Sequence, residues 1–135
     1  HFYKQIKKLE EIKKENEGPE SNVAPSKAEI AFDDFMKMDM RVGTILEAEK
    51  VPKSSKLLKF NVDTGLDQRT ILSGIAKFFT PEEMIGKQVT VLVNLAPRKI
   101  MGVESQGMIL MAENEDGSLK LLMPHEVADN GATIS

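Results

Sequence analysis

One helix signal interrupts a chain that otherwise reads as strands, and its position limits the folds available. Thr80-Pro81-Glu82-Glu83 has the form of a helix start: Thr as cap, Pro at the first helical position, Glu at the capping-box position. Gly86 ends that helix after little more than one turn. Three strand patterns precede it. The first runs from Met40 to about Val51, and Gly43 inside it predicts a bulge or bend. Pro52 stops it, and Lys53-Ser54-Ser55-Lys56 forms the connection. The second, Leu57 to Asp63, alternates, with Leu58, Phe60 and Val62 on one side and Lys59, Asn61 and Asp63 on the other. The third is Arg69 to Ser73. Beyond the helix come Gln88 to Asn94, about Met108 to Glu113, an Asp116-Gly117 turn, and a short strand from Leu119 to Met123.

Three strands, a short helix and then two or more strands is the order of an all-β, five-stranded, partly open Greek-key barrel, the OB-fold. With 135 residues and 41% hydrophobic content, the chain has enough material for one such core. The barrel domain is expected over 30–135, opening with a helical turn from Phe32 to Met38 whose Asp33 and Asp34 suit a helix start. Residues 1–29 read as a charged helical linker. Ile6, Leu9 and Ile12 form a thin apolar stripe, Gly18-Pro19 ends it, and a polar tether follows. A chain that opens on His-Phe-Tyr reads as part of a longer one, with a further domain upstream.

Several kinds of chemistry are excluded. With no cysteine, the chain has no disulfide, thiolate metal site or cysteine nucleophile, and its composition suits the cytoplasm. No apolar run approaches the roughly 20 residues that span a bilayer. Of the two histidines, His125 sits in a polar segment with no second histidine at ligand spacing. No phosphate-binding loop, dinucleotide fingerprint or nucleophile elbow is present. Neither a catalytic residue, a metal nor a cofactor is expected of this chain.

The net charge of −3 conceals a gradient. Residues 1–36 carry 6 basic and 8 acidic side chains, residues 37–107 carry 11 and 8, and residues 108–135 carry 1 and 5. The cationic excess therefore falls on the strands and on the segment NLAPRKIMGVESQGMILM from Asn94 to Met111, read as a basic, glycine-punctuated loop between the fourth and fifth strands. Lys53 and Lys56 on the first connection and Arg98-Lys99 on that loop are placed to clamp one phosphate backbone, with Arg41, Lys59, Arg69 and Lys77 as further candidate cations. Asn94, Ser105 and Gln106 flank the cations and offer hydrogen bonds to ribose or a base edge, although Asn and Ser also commonly satisfy their own loop. Aromatics make up only 5% of the chain, and Phe60 points to the core. One of Phe78 and Phe79 is expected to pack inward, so base stacking is poorly provided for. Phosphate, 2′-hydroxyl and shape contacts to a folded RNA fit these residues better.

The segments DMRVGTILEAEKVPKSSKLLKFNVDTG and RTILSGIAKFFTPEEMIGKQVTVLVNLAPRKIMGVESQGMILMAE closely resemble the tRNA-binding domain appended to the C-terminus of bacterial methionyl-tRNA synthetases. Free-standing structure-specific tRNA-binding proteins share that family. Its recurring positions fall on Arg41-Val42-Gly43, Val62-Asp63-Gly65, Ser73-Gly74, Asn94-Leu95-Pro97-Arg98 and Ser105-Gly107-Met108. The resemblance implies a barrel of the class above, homodimerisation, and binding to the outside of folded tRNA without strong sequence preference. The synthetase's ATP-binding signatures are absent, so the implied role is to raise a parent ligase's affinity for tRNA rather than to aminoacylate. Two rivals remain: a related secretion-chaperone barrel with the same Arg-Val-Gly opening, which binds protein instead, and a purely dimerising module.

Overall fold

An uninterrupted strand, β1 (Met40–Lys50), is the spine of the molecule. The computed structural model describes residues 23–135, so the helix expected around Ile6, Leu9 and Ile12 lies outside the described residues. The N-terminal half of β1 pairs with β4 (Gln88–Leu92), from Met40↔Leu92 to Thr44↔Gln88. Its C-terminal half pairs with β2 (Leu58–Asp63), from Thr44↔Asp63 to Lys50↔Leu58. One strand serves two neighbours because it bends, and the register shifts between Ile45 and Glu47. This corrects the expectation for Gly43. That glycine lies in unbroken register, and a Cβ there would stand 2.8 Å from Val62 Cγ1 and 3.1 Å from the Asp63 carbonyl. Close approach, not curvature, requires it.

β3 (Gln68–Ser73) pairs with β2, and β7 (Met108–Ile109) pairs with β4, giving the order β3-β2-β1-β4-β7. Hydrogen bonds from the segment before β7 reach back to β3, so the sheet is nearly closed, as expected of a Greek-key barrel. Between the third and fourth strands stands α2 (Pro81–Met84), where Thr80 Oγ1 accepts from the Glu83 N–H at 3.4 Å, as the sequence predicts. α1 (Phe32–Met36) opens the domain.

The expected alternation of β2 holds: Leu58, Phe60 and Val62 are buried with Ile45, Ile71, Met84, Val89, Val91 and Ile109. Each contributes roughly 1.5–3 kcal/mol of apolar burial. Phe79 packs against this core while Phe78 remains exposed.

Two further expectations of the sequence differ. The strand predicted from Met108 to Glu113 is split at Leu110, where the chain leaves β4 and β8 (Met111–Glu113) pairs instead with β9 (Leu119–Leu121). Within the segment expected as a loop, residues 98–105 form a hairpin, β5 (Arg98–Ile100) against β6 (Val103–Ser105). Finally β10 (Thr133–Ile134) returns to β1, pairing Met40↔Ile134 and Arg41↔Thr133.

Candidate nucleic-acid interface

The β5–β6 hairpin turns through Met101 and Gly102, both with positive φ, 52° and 79°. That is the mirror-image turn whose twist matches paired strands, with glycine at its second central position. Its base is fastened to β3 mostly by side chains. Gln106 N–H donates to the Thr70 carbonyl at 2.8 Å, the Leu72 N–H donates to Ser105 Oγ at 3.1 Å, and the Thr70 N–H reaches Gln106 Oε1 at 3.4 Å. Arg69 locks the joint. Its Nη1 donates to the Val93 carbonyl (2.8 Å), where the chain enters the hairpin, and to the Gln106 carbonyl (3.2 Å), where it leaves. Nε and Nη2 of Arg69 hold both oxygens of Asp67 at 2.9 Å, and this fork keeps the Asp67 carboxyl below its ordinary range.

This docking sets the direction of the hairpin. Gln106 faces Thr70 and Ser105 faces Leu72, so β6 runs antiparallel to β3 and the hairpin projects past the C-terminal end of β3. Leu58↔Ser73 and Lys50↔Leu58 place the start of β2 and the end of β1 at that same end. Lys53 and Lys56 lie on the connection there, and the Ala76 N–H donates to the Lys56 carbonyl at 3.0 Å, which brings Lys77 alongside. One end of the barrel therefore gathers Lys53, Lys56, Lys77, Arg98 and Lys99. All are exposed, and among the described residues none has a carboxylate partner. Lys59 lies on the outer face of β2 nearby, 3.6 Å from Glu49.

The other sequence-predicted residues are placed differently. Arg41 lies toward the far end of β1, its fork closed on Asp39 and its Nη1 donating to the Gly131 carbonyl at 3.1 Å. Asn94 is a clamp at that end, its Oδ1 accepting from the Asp39 N–H and its Nδ2 donating to the Lys37 carbonyl. Ser105 is a correction: it is 5% exposed, and its hydroxyl substitutes for a missing ladder carbonyl, so it is not a surface donor. Gln106 is exposed; its Oε1 serves β3, and its NH₂ group makes no hydrogen bond among the described residues. The anchoring role of Arg69 was not readable from spacing, since Asp67-Gln68-Arg69 carries no sign of carbonyls reached across 24 and 37 residues.

The fold is thus a small, nearly closed barrel with a projecting hairpin and, at one end, a group of cations that have no carboxylate partner among the described residues. Residues 40–133 match the family described as "Putative tRNA binding domain", and the chain belongs to that family. It is 58% identical over 98% of its length to methionine–tRNA ligase of Flavobacterium johnsoniae and 54% identical over 96% to that of Bacteroides fragilis. The chain spans about 19% of each of those relatives. Among solved structures it superposes on a methionyl-tRNA-synthetase-related protein from Pyrococcus horikoshii with a TM-score of 0.77 and 43% identity, covering 81% of this chain and 100% of that one. Chaperone CsaA of Bacillus anthracis superposes with a TM-score of 0.73 and 33% identity, covering 80% of this chain and 100% of that one.

Proposed function

We propose that this domain binds folded tRNA through the cationic end of its barrel, as a C-terminal appendage of a methionine–tRNA ligase whose catalytic part lies upstream. The observation that carries the reading is the convergence of Lys53, Lys56, Lys77, Arg98 and Lys99, unpaired among the described residues, around one projecting hairpin. The surrounding charge is modest, so affinity comes from a few phosphate contacts and from shape, not from a broad basic field. Residues 30–135 form the binding domain, residues 1–29 tether it, and the cytoplasm is its compartment. Among the described residues no helix is long and apolar enough to cross a membrane.

The second element is homodimerisation. Met40, Leu92 and Met108 lie in register across three strands, so their side chains share one outward face. The Asn94 clamp holds the chain after β4 to the backbone of Lys37 and Asp39, next to α1, where Phe32 is 72% exposed and Met36, Met38 and Leu95 are also exposed. Exposed apolar side chains gathered at the end remote from the cations suit a second copy of the chain. A dimer offers two sites to one tRNA and raises affinity by avidity.

Fluorescence-anisotropy titrations with folded tRNA and with an unstructured RNA of equal length, at several salt concentrations, test the main reading. Tight, salt-sensitive binding to the folded RNA alone is expected. Equal binding to both would reduce the site to electrostatics. Binding to neither would favour the protein-binding role suggested by the likeness to chaperone CsaA.

A further inference from the structure

A separate polar groove of about 640 Å³ crosses the outer face of β1, β2 and β3. It is lined by Glu47, Lys59, Asn61, Thr70, Ile85 and Gln106, among others. The registers Glu47↔Asn61 and Asn61↔Thr70, continued by the Gln106 N–H to the Thr70 carbonyl, set four of these residues in one row. At about 4.8 Å per strand, the row is roughly 14 Å long. Its polar groups are unusually idle. The side chains of Glu47, Asn61 and Thr70 make no hydrogen bond or ion pair among the described residues, and the NH₂ of Gln106 is unused.

Charge decides what such a groove accepts. The Glu49 carboxylate stands 3.6 Å from Lys59, and the Arg69 guanidinium is closed on Asp67, so each cation lining the groove has its counter-ion. Among the described residues the Glu47 carboxylate is left as the uncompensated charge. A phosphate would be repelled there, whereas a ring edge that presents N–H donors would be attracted. Guanine presents two adjacent donors, N1–H and the exocyclic amine, which match the two oxygens of a carboxylate. Uracil presents one donor between two carbonyls, which the carboxylate repels. Asn61 and Gln106 can supply N–H groups to O6 of guanine, and Ile85, 49% exposed, offers an apolar wall to the ring.

We propose that the row Glu47–Asn61–Thr70–Gln106 is a nucleobase subsite that takes an unpaired, splayed-out guanine in preference to uracil. It rests on the reading of the chain as an RNA binder, and it separates two tasks: the hairpin end holds phosphates, while the groove reads a base. The test titrates the chain with guanosine 5′-monophosphate, uridine 5′-monophosphate and inorganic phosphate, following the side-chain amide signals of Asn61 and Gln106 by ¹⁵N NMR. These signals should move with the guanine nucleotide, with an affinity about fivefold or more above that for the uracil nucleotide, and stay still with phosphate. In Glu47→Gln, an exposed substitution, the preference should collapse toward one. Equal response to both nucleotides, movement with phosphate alone, no movement with any probe, or an unaltered preference in Glu47→Gln would each overturn the subsite. The readout uses mononucleotides, so it stands whether or not the chain binds whole tRNA, and failure of tRNA binding alone would not reproduce any of these outcomes.

Discussion

The two ends of β1 use the same kinds of side chain in opposite ways. Near Met40, Arg41 is closed on Asp39 and the Gly131 carbonyl, Asn94 clamps Lys37 to Asp39, and Asn130 accepts from Thr44 Oγ1 at 2.6 Å. Gln88 exchanges two hydrogen bonds with the backbone of Ala128 at the same side of the barrel. At the other end, the side chains of Lys53, Lys56, Lys77, Arg98 and Lys99 have no partner among the described residues. A charged or amide side chain that has found a partner within the chain stabilises the fold, and one that has not is available to a ligand. Residue type alone does not tell Arg41 from Arg98; the presence of a facing carboxylate does.

The largest expected effect breaks this contrast at its free end. Replacing Lys53, Lys56, Arg98 and Lys99 together with Ala should lower the slope of log affinity against log salt by up to about 0.9 for each phosphate that is no longer neutralised. The denaturation midpoint should barely move, because exposed, unpaired side chains contribute within about 0.5 kcal/mol. Anisotropy at graded salt and urea unfolding check the two halves, and an unchanged slope would place the phosphates elsewhere.

At the clamped end the expectation reverses. Asn94→Ala removes two hydrogen bonds that tie the chain just after β4 to the segment before β1, and should cost about 1–2 kcal/mol in urea unfolding with an unaltered salt slope. A change in slope would show that Asn94 also serves the ligand.

The hairpin joint lies between these extremes, and acid probes it. The fork from Arg69 holds the Asp67 carboxyl below its ordinary range in the folded state. A lowered folded pKa means that the stabilisation is complete above the unfolded value and is lost as pH falls through the folded one. Slower amide exchange of residues 98–105 at neutral pH than in acid, after correction for intrinsic rates, is therefore expected. In Asp67→Asn that difference should shrink.

The smallest effect concerns Lys59. Glu49→Gln releases it from an exposed pair, so stability should change by less than about 0.5 kcal/mol. RNA affinity should rise slightly, by less than about threefold, since one surface anion is gone and one cation freed.

Much of the barrel could be read from the sequence because its signals are local. Leu58, Phe60 and Val62 alternate, and Thr80-Pro81-Glu82-Glu83 carries its own cap. What stayed hidden depends on partners far along the chain. β5 and β6 have three residues each, too few to show a period, so the basic segment reads as a loop. The bend of β1 falls beside Leu46, where no glycine marks it, and β10 is only two residues long. Ser105 looks like a surface donor because a serine that replaces a ladder carbonyl has no distinctive neighbours in sequence. The cations were legible as a set; the division between free and engaged members required the fold.

The pairing of β10 with β1 has a consequence for how the domain can be connected. Met40 and Ile134 are direct antiparallel partners, so the points where the chain enters and leaves the barrel are neighbours, about 5 Å apart. A module of this kind can be joined to a host at either terminus, or spliced within one, without altering the strands between. A circular permutant that links these two points and opens at the turn beside the exposed Asp116 should retain the same nearly closed barrel. Portability of the domain is thus written into a two-residue strand.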